Sequence, residues 1–341
     1  MKIVFRALIL IVVLLIGGFF LGPSPEPPAV SKELPAVPAQ LTSLETWIGE
    51  QEAKAPVKPD NEAMIVWADS TPQKTQYAVV YLHGFSASRE EGGDIARAFA
   101  DRYGCNLFLA RLHEHGLVSE EPLLNYRADS VYATAQEALA IGKQLGEQVI
   151  LMSTSTGGTL SLMLGEDPAI AAHILYSPNI QINNPAAGML SGPWGFQIAR
   201  QVTGSDYNEW EGDAYSNKYW FNKYRIEAMV ELQNLLDYGM NPATFGAVKA
   251  PVYLAYYYKD EENQDPTVMV SAMLEMFDQL GTPAEVKRKE AFPTAGVHVI
   301  CNPEKSEAYE EVKTGTFSFA EEILQLTAAP QSTEGDGEMA M

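Results

Sequence analysis

The 341-residue sequence contains few cysteines and few basic residues. Cys105 and Cys301 allow at most one disulfide bond, and neither belongs to a CxxC pair or a Cys/His cluster with the spacing of a zinc site. We expect two free thiols. Only 23 Lys and Arg residues stand against 44 Asp and Glu residues, so the formal net charge is −21. A surface with this charge repels phosphate backbones, which makes nucleic acid an improbable partner.

The longest apolar run lies near the N-terminus. Residues 7–21 contain no charged residue and follow two basic ones, a pattern typical of export signals. We expect residues 1–22 to form an uncleaved membrane anchor, with a cleaved signal peptide as the alternative. The rest of the chain then lies outside the cytoplasm. Residues 23–45 are rich in proline and predict a semi-rigid linker, whereas residues 330–341 predict a disordered acidic tail.

Residues 46–329 predict one domain, and 46% of the chain is hydrophobic, enough for a large core. From Gln76 onward, apolar strands alternate with helical stretches. This order predicts an α/β fold with a mostly parallel central sheet and helices on both faces. The predicted strands cover residues 78–84, 106–112, 149–153, 171–178, 252–258 and 285–291. Residues 179–248 interrupt the alternation and predict an inserted cap. Its tryptophans either pack in a core or line a substrate lid: Trp194, Trp210 and Trp220.

A serine lies where a predicted strand meets a predicted helix. The segment VILMSTSTGG places Ser155 after an apolar strand, with Gly157 two residues further on. A nucleophilic serine in a strand–turn–helix needs small residues two positions before and two after it, because strand and helix nearly collide. The usual pattern is GxSxG, and here Ser153 replaces the first glycine. Alone, the segment also fits a serine-rich turn that caps a helix.

Residues downstream of Ser155 favour a nucleophile. His298 follows the last predicted strand, where a general base can reach the end of the sheet. Asp265, after the preceding strand, is our candidate for the acid that orients this histidine, and Asp260 is the alternative. The order serine, acid, histidine is that of the α/β-hydrolases. No metal is needed by such a triad.

An oxyanion hole requires two backbone N–H groups. We expect one from Thr156, directly after the serine, and one from Phe85, in the turn after the strand AVVYLHG. HGF alone indicates only a turn, and we expect His83 to be a structural histidine and not a catalytic one.

The segment YLHGFSASREEGGDIARAFADRYGCNLFLARLHEHGL resembles the opening of the α/β-hydrolase carboxylesterases and monoacylglycerol lipases. These enzymes carry an HGF or HGxG oxyanion loop followed by a GHG-like turn, here HEHG at residues 113–116. The resemblance extends over roughly residues 76–327. It implies ester hydrolysis through an acyl-enzyme without a cofactor, on a small-molecule ester or lipid-like substrate. Its site residues are a triad and two oxyanion donors: Ser155, Asp265 and His298, with Phe85 and Thr156. The departures are Ser153 and the long acidic loop before the acid.

Other activities on the same fold stay open. An aminopeptidase needs cap carboxylates that hold a substrate ammonium, for which Glu209, Glu211 and Asp213 are available. An acyltransferase would share every named residue and differ in how well it excludes water. A catalytically inactive binding module is the alternative of another class.

Overall fold

The computed structural model describes residues 2–330. Residues 331–341, nearly all of the predicted tail, lie outside the described part. The strands are β1 (Met64–Val66), β2 (Thr75–Leu82), β3 (Asn106–Leu109), β4 (Gly146–Thr154), β5 (Ile170–Tyr176), β6 (Tyr207–Glu209), β7 (Lys223–Arg225), β8 (Val252–Tyr256) and β9 (Lys287–Ala291). Seven of them form one sheet in the order β1-β3-β2-β4-β5-β8-β9, and β6 pairs with β7. Only β1 runs antiparallel within the large sheet.

The α-helices are α1 (Lys2–Phe20), α2 (Leu41–Glu52), α3 (Gly93–Tyr103), α4 (Ala128–Leu145), α5 (Thr156–Met163), α6 (Gly195–Thr203), α7 (Ala214–Tyr219), α8 (Ile226–Gly239), α9 (Pro242–Ala247), α10 (Val270–Gln279) and α11 (Tyr309–Glu322). Short 3₁₀ turns cover Arg89–Glu91, Ala187–Met189 and Ala284–Val286. The predicted fold class, a mostly parallel sheet between helices, is confirmed.

The inner strands of the sheet are buried on both faces, which explains why they are almost continuously apolar, whereas the edge strand β9 is charged and partly exposed. Successive residues of β2 point to opposite faces: Val80 packs in the cluster that contains α4 and α8, and Tyr81 packs in the cluster that contains α3 and α11. A third cluster packs α9 and α10 against strands β5 and β8. Because these strands run parallel, their carboxyl ends lie along one edge of the sheet, where the loops that follow β2, β4, β8 and β9 come together.

The proline-rich segment packs along the domain instead of standing free as a linker. Pro28 is buried, and the main chain accepts hydrogen bonds from Asn234 at Glu26 and from Gln136 at Ser31, each 2.8 Å long. Apolar residues between the prolines cause the difference, because Val30, Leu34 and Val37 pack against the core. Helix α2 also begins inside the segment predicted as linker.

Among the described residues, no helix is both long enough and apolar enough to cross a membrane. The transmembrane anchor expected for residues 1–22 is therefore not supported by the described helices. Export of the chain stays a prediction.

The segment predicted as a cap has two parts. Helix α8 contacts α4 and α5, and α9 contacts α5 and α10, so both belong to the packed layers of the sheet. Their apolar faces, with Leu232, Leu235 and Phe245 buried, require this packing. The other part ends before Ile226 and contains α6, α7 and the β6–β7 pair, and its helix α6 contacts α8.

Candidate active site

Ser155 occupies the sharp turn between β4 and α5. Its backbone angles, φ 53° and ψ −118°, are strained for a residue with a side chain. Hydrogen bonds hold the turn in place: the Ser155 N–H donates to Tyr176 O at 3.0 Å, and its carbonyl accepts from Gly158 N and Asn179 N at 2.9 Å. The strain is thus compensated by the neighbouring strand β5 and the helix, which together aim the side chain out of the strand end.

The close approach of β2 and α5 explains the small residues around Ser155. A Cβ built on Gly157 would lie 2.0 Å from the carbonyl oxygen of Leu82, so no side chain fits there. Ser153, which replaces the first glycine of the usual pattern, is fully buried, and its hydroxyl donates to Ile174 O at 3.4 Å. The serine finds both the space and a hydrogen-bond acceptor, which accounts for the SxSxG variant.

Asp265 and His298 are brought together by the loops that follow β8 and β9. Nδ1 of His298 donates to Oδ2 of Asp265 at 2.7 Å. The other carboxylate oxygen, Oδ1, accepts the N–H groups of Thr267 and Val268 at 2.8 and 3.0 Å. Asp260, the alternative acid, is exposed and bonds to Asn263 within its own loop.

Electrostatics and geometry prepare His298 to accept a proton. Burial alone would lower its pKa, but the charge and hydrogen bond of Asp265 outweigh burial and raise the pKa of His298 above its usual value. Burial likewise opposes ionisation of Asp265, yet His298 and the two N–H donors hold the pKa of this carboxyl below normal. Because Nδ1 carries the proton, Nε2 presents its lone pair. Nε2 is buried and has no hydrogen-bond partner among residues 2–330.

The loop of His298 lies directly beside the serine turn. The hydroxyl of Thr154, the residue before Ser155, lies 3.1 Å from the Cys301 sulfur, three residues after His298. Both cysteines are free thiols and buried.

The backbone N–H groups of Phe85 and Thr156 make no hydrogen bond within the described part of the chain. Unpaired N–H groups in a buried turn are rare, and a developing oxyanion would satisfy them. Thr156 follows the nucleophile candidate and begins α5, so the helix N-terminus also favours negative charge there.

Two neutral histidines hold the turn that carries Phe85. Nδ1 of His83 donates to the Gly84 carbonyl at 2.9 Å, while its Nε2 accepts from Leu112 N at 3.1 Å. Nε2 of His115 accepts the Ser86 N–H at 3.0 Å, and its Nδ1 donates to His113 O at 2.7 Å. Burial lowers the pKa of His83 to about 4 and the pKa of His115 also well below normal, which keeps both acceptors unprotonated.

These contacts give His83 a structural role, because it binds the carbonyl of Gly84, the residue before the candidate oxyanion donor Phe85. His115 belongs to the HEHG turn, but its contact with Ser86 joins residues 29 apart, and no local pattern predicts it. A further buried carboxyl group, that of Glu91, lies beside the turn and was not predicted from the sequence. Its neighbour Glu90 makes the pair look like ordinary surface charge.

Of the three cap tryptophans, Trp220 is buried, and its side chain acts to lower the pKa of the Glu91 carboxyl group. Trp194 and Trp210 are more than a third exposed. Phe221, the residue after Trp220, donates its N–H to Ser86 O at 2.8 Å, so the cap touches the turn that carries Phe85.

Two of the three cap carboxylates are paired with lysine side chains. Glu209 pairs with Lys223, Asp213 caps α7 and pairs with Lys305, and Glu211 is exposed. Their partners leave Glu209 and Asp213 without a free charge for a substrate.

No protein-family profile matches this sequence, and no curated protein matches it. Solved structures do match. A metagenome-derived lipolytic enzyme from a study of LipS and LipT has a TM-score of 0.62 at 16% identity, covering 78% of this chain and 99% of that chain. A monoacylglycerol lipase of Paleococcus ferrophilus gives 0.56 at 13%, covering 75% and 96%. Est1E of Butyrivibrio proteoclasticus, with ferulic acid bound, gives 0.53 at 16%, covering 77% and 95%.

At these identities the likeness concerns the fold. It agrees with the mostly parallel seven-stranded sheet and the helices around it. The chain has the α/β-hydrolase fold.

Proposed function

We propose that this protein is a serine hydrolase that cleaves carboxylic esters, with Ser155 as nucleophile, His298 as general base and Asp265 as the acid. The observation that carries the proposal is the 2.7 Å Asp265–His298 hydrogen bond at the strand edge where Ser155 leaves β4 in a strained turn. The two unpaired N–H groups, of Phe85 and Thr156, complete the set that acyl transfer requires.

Acylation begins when the Ser155 hydroxyl attacks the ester carbonyl and its proton passes to Nε2 of His298. Asp265 holds the imidazole in the tautomer that can accept this proton and stabilises the resulting imidazolium. The carbonyl oxygen becomes an oxyanion, which accepts hydrogen bonds from the Phe85 and Thr156 N–H groups. The C–O bond of the ester then breaks, and His298 gives its proton to the departing alcohol.

Deacylation repeats these steps with water. The water molecule gives a proton to His298 as its oxygen attacks the acyl-enzyme carbonyl, and the second oxyanion occupies the same N–H groups. When the intermediate collapses, the carboxylic acid leaves and Ser155 recovers its proton from His298.

Aromatic rings around the oxyanion turn favour an apolar acyl group. The Phe85 ring packs edge-on against Tyr126 and Tyr224, each with 5.2 Å between ring centroids. Apolar walls bind an acyl chain while the polar groups act on the carbonyl. The named relatives include lipolytic enzymes and a monoacylglycerol lipase, and we extend that substrate class, esters with apolar acyl groups, to this chain.

The test uses the full-length protein, p-nitrophenyl esters from acetate to palmitate, and a fluorophosphonate probe that labels activated serines. We expect ester turnover and labelling in the wild type, and neither in Ser155→Ala. Ser153→Ala is the matched control, because it removes the neighbouring buried hydroxyl and leaves Ser155 in place. The dependence on acyl length separates a carboxylesterase from a lipase.

Three outcomes would contradict the proposal in whole or in part. Turnover that survives in Ser155→Ala would place the nucleophile elsewhere. A folded wild type that neither reacts with the probe nor cleaves any ester would exclude a serine hydrolase of this kind. Labelling without ester turnover would keep the activated serine and exclude the ester substrates.

A further inference from the structure

Glu91 carries a buried carboxyl group beside the proposed active site, and the triad mechanism makes no use of this group. It ends the 3₁₀ turn Arg89–Glu91 and is 2% exposed. Its Oε2 accepts the Gly84 N–H at 2.5 Å and the Tyr81 hydroxyl at 3.3 Å. The carboxyl group therefore contacts the residue directly before Phe85, whose N–H is the candidate oxyanion donor.

Gly84 lies between this carboxyl group and the nucleophile. A Cβ built on Gly84 would lie 2.8 Å from Oε1 of Glu91 and 3.0 Å from Cβ of Ser155. The absence of a side chain at position 84 thus lets Glu91 and Ser155 approach the same point from two sides.

Hydrogen bonds tie Glu91 to the loop of His298. Nδ2 of Asn302, four residues after His298, donates to the Glu91 carbonyl at 3.1 Å and to the Glu90 carbonyl at 2.9 Å. Thr154 and Cys301 join the serine turn to the same loop. The Glu91 turn and the His298 loop are consequently held in one arrangement.

No Lys or Arg side chain forms an ion pair with Glu91 in the described chain; Arg89 and Arg97 pair with Glu90 instead. The polar and titratable groups that face Glu91 are Tyr81 from β2, Trp220 from the cap, and His298 and Cys301 from the last loop. Burial raises the pKa of Glu91 to about 7, and the charge of His298 acts against this increase. The reciprocal effect of ionised Glu91 is to raise the pKa of His298.

We propose that Glu91 is a positioning residue of this active site: it fixes the Gly84 end of the oxyanion turn and, when ionised, stabilises the imidazolium form of His298. The inference rests on the proposed serine-hydrolase function and adds a second carboxylate to it. In both acyl transfers His298 becomes positively charged, so a nearby negative charge lowers the energy of that species. The hydrogen bond to Gly84 acts separately, through the geometry of the turn.

The two roles separate in two substitutions. Glu91→Gln keeps a carbonyl oxygen that can accept the Gly84 N–H but removes the charge. Glu91→Ala removes both. Glu90→Gln is the matched control, since it deletes the adjacent acidic charge, which is paired with Arg97 and Arg89.

The first measurement is the pH dependence of kcat/KM for p-nitrophenyl acetate with the full-length protein. We expect the acid limb of Glu91→Gln to move to lower pH by about half a unit or more, because His298 loses a stabilising charge. We expect Glu90→Gln to keep the wild-type limb. We expect Glu91→Ala to lose about tenfold or more in kcat with little change in KM, because the oxyanion donor is no longer held.

The second measurement does not depend on turnover. NMR titration of the His298 ring in Ser155→Ala, with and without Glu91→Gln, reports the His298 pKa directly. A lower pKa in the double variant supports the coupling. An unchanged pKa together with an unchanged acid limb would refute it, even if Glu91→Ala fails to fold. An inactive wild type with a shifted His298 titration would refute the ester-hydrolase proposal and leave the coupling of Glu91 to His298 intact.

Discussion

Substitution of Asp265 by asparagine tests the site because the structure dictates how the new side chain must be oriented. Oδ1 of Asp265 accepts two backbone N–H groups, those of Thr267 and Val268. In Asp265→Asn the amide oxygen must occupy this position, because an NH₂ group there would face two donors. The NH₂ group is then directed at Nδ1 of His298.

This orientation reverses the hydrogen bond that sets the tautomer of His298. In the wild type Nδ1 donates to Asp265 across 2.7 Å. In the variant Nδ1 must accept, so the ring proton moves to Nε2, which can no longer take the proton of Ser155. The same change in a serine-protease triad lowers kcat roughly 10⁴-fold, or about 5 kcal/mol, and we expect a loss of that order. The pKa of His298 also falls, because the charge of Asp265 is the largest of the effects that raise it.

The assay is hydrolysis of p-nitrophenyl acetate at pH 8, with circular dichroism to verify folding. Asp260→Asn is the control: this acid is exposed and bonded within its own loop, so its loss should leave kcat within about twofold. The reasoning is refuted if Asp265→Asn keeps more than about a tenth of the wild-type kcat, or if Asp260→Asn is the damaging change.

Three further predictions concern stability and access. Gly157→Ala should destabilise the protein by about 2–3 kcal/mol or more in urea unfolding, because the new Cβ would lie 2.0 Å from a backbone oxygen. Gly246→Ala, where a Cβ has no neighbour within 4 Å, should be neutral or stabilising, and equal effects of the two substitutions would contradict this. Burial holds the pKa of His83 near 4, so between about pH 4 and 6.5 only the unfolded chain binds this proton, and the free energy of unfolding should rise with pH by about 3 kcal/mol for this residue. A urea midpoint that does not change over this pH range would argue against it. Cys105 and Cys301 should resist iodoacetamide in the native protein and react after denaturation, because both are buried and burial raises the pKa of each thiol. Mass spectrometry would detect the labelling, and stoichiometric labelling of the native protein would disprove their burial.

The sequence by itself was sufficient for those features that depend on neighbouring residues. Alternating apolar strands and helices predicted the parallel sheet, and a serine between a strand and a glycine predicted the turn at Ser155. Such features follow from local sterics and from burial periodicity, both of which a linear pattern records. The antiparallel strand β1 was missed because three residues are too few for a period. The packing of the proline-rich segment could not be predicted, because proline content does not reveal what the valines and leucines between the prolines contact.

Tertiary structure decided which distant groups meet. Asp260 and Asp265 lie in one loop and look alike in the sequence, but only Asp265 has two N–H donors on one oxygen and His298 on the other. His115 and Glu91 reach the turn that carries Phe85 through contacts that no spacing rule contains. A buried charge or an unprotonated histidine depends on the solvent and partners around it, and those are set by the packing of several loops at one edge of the sheet.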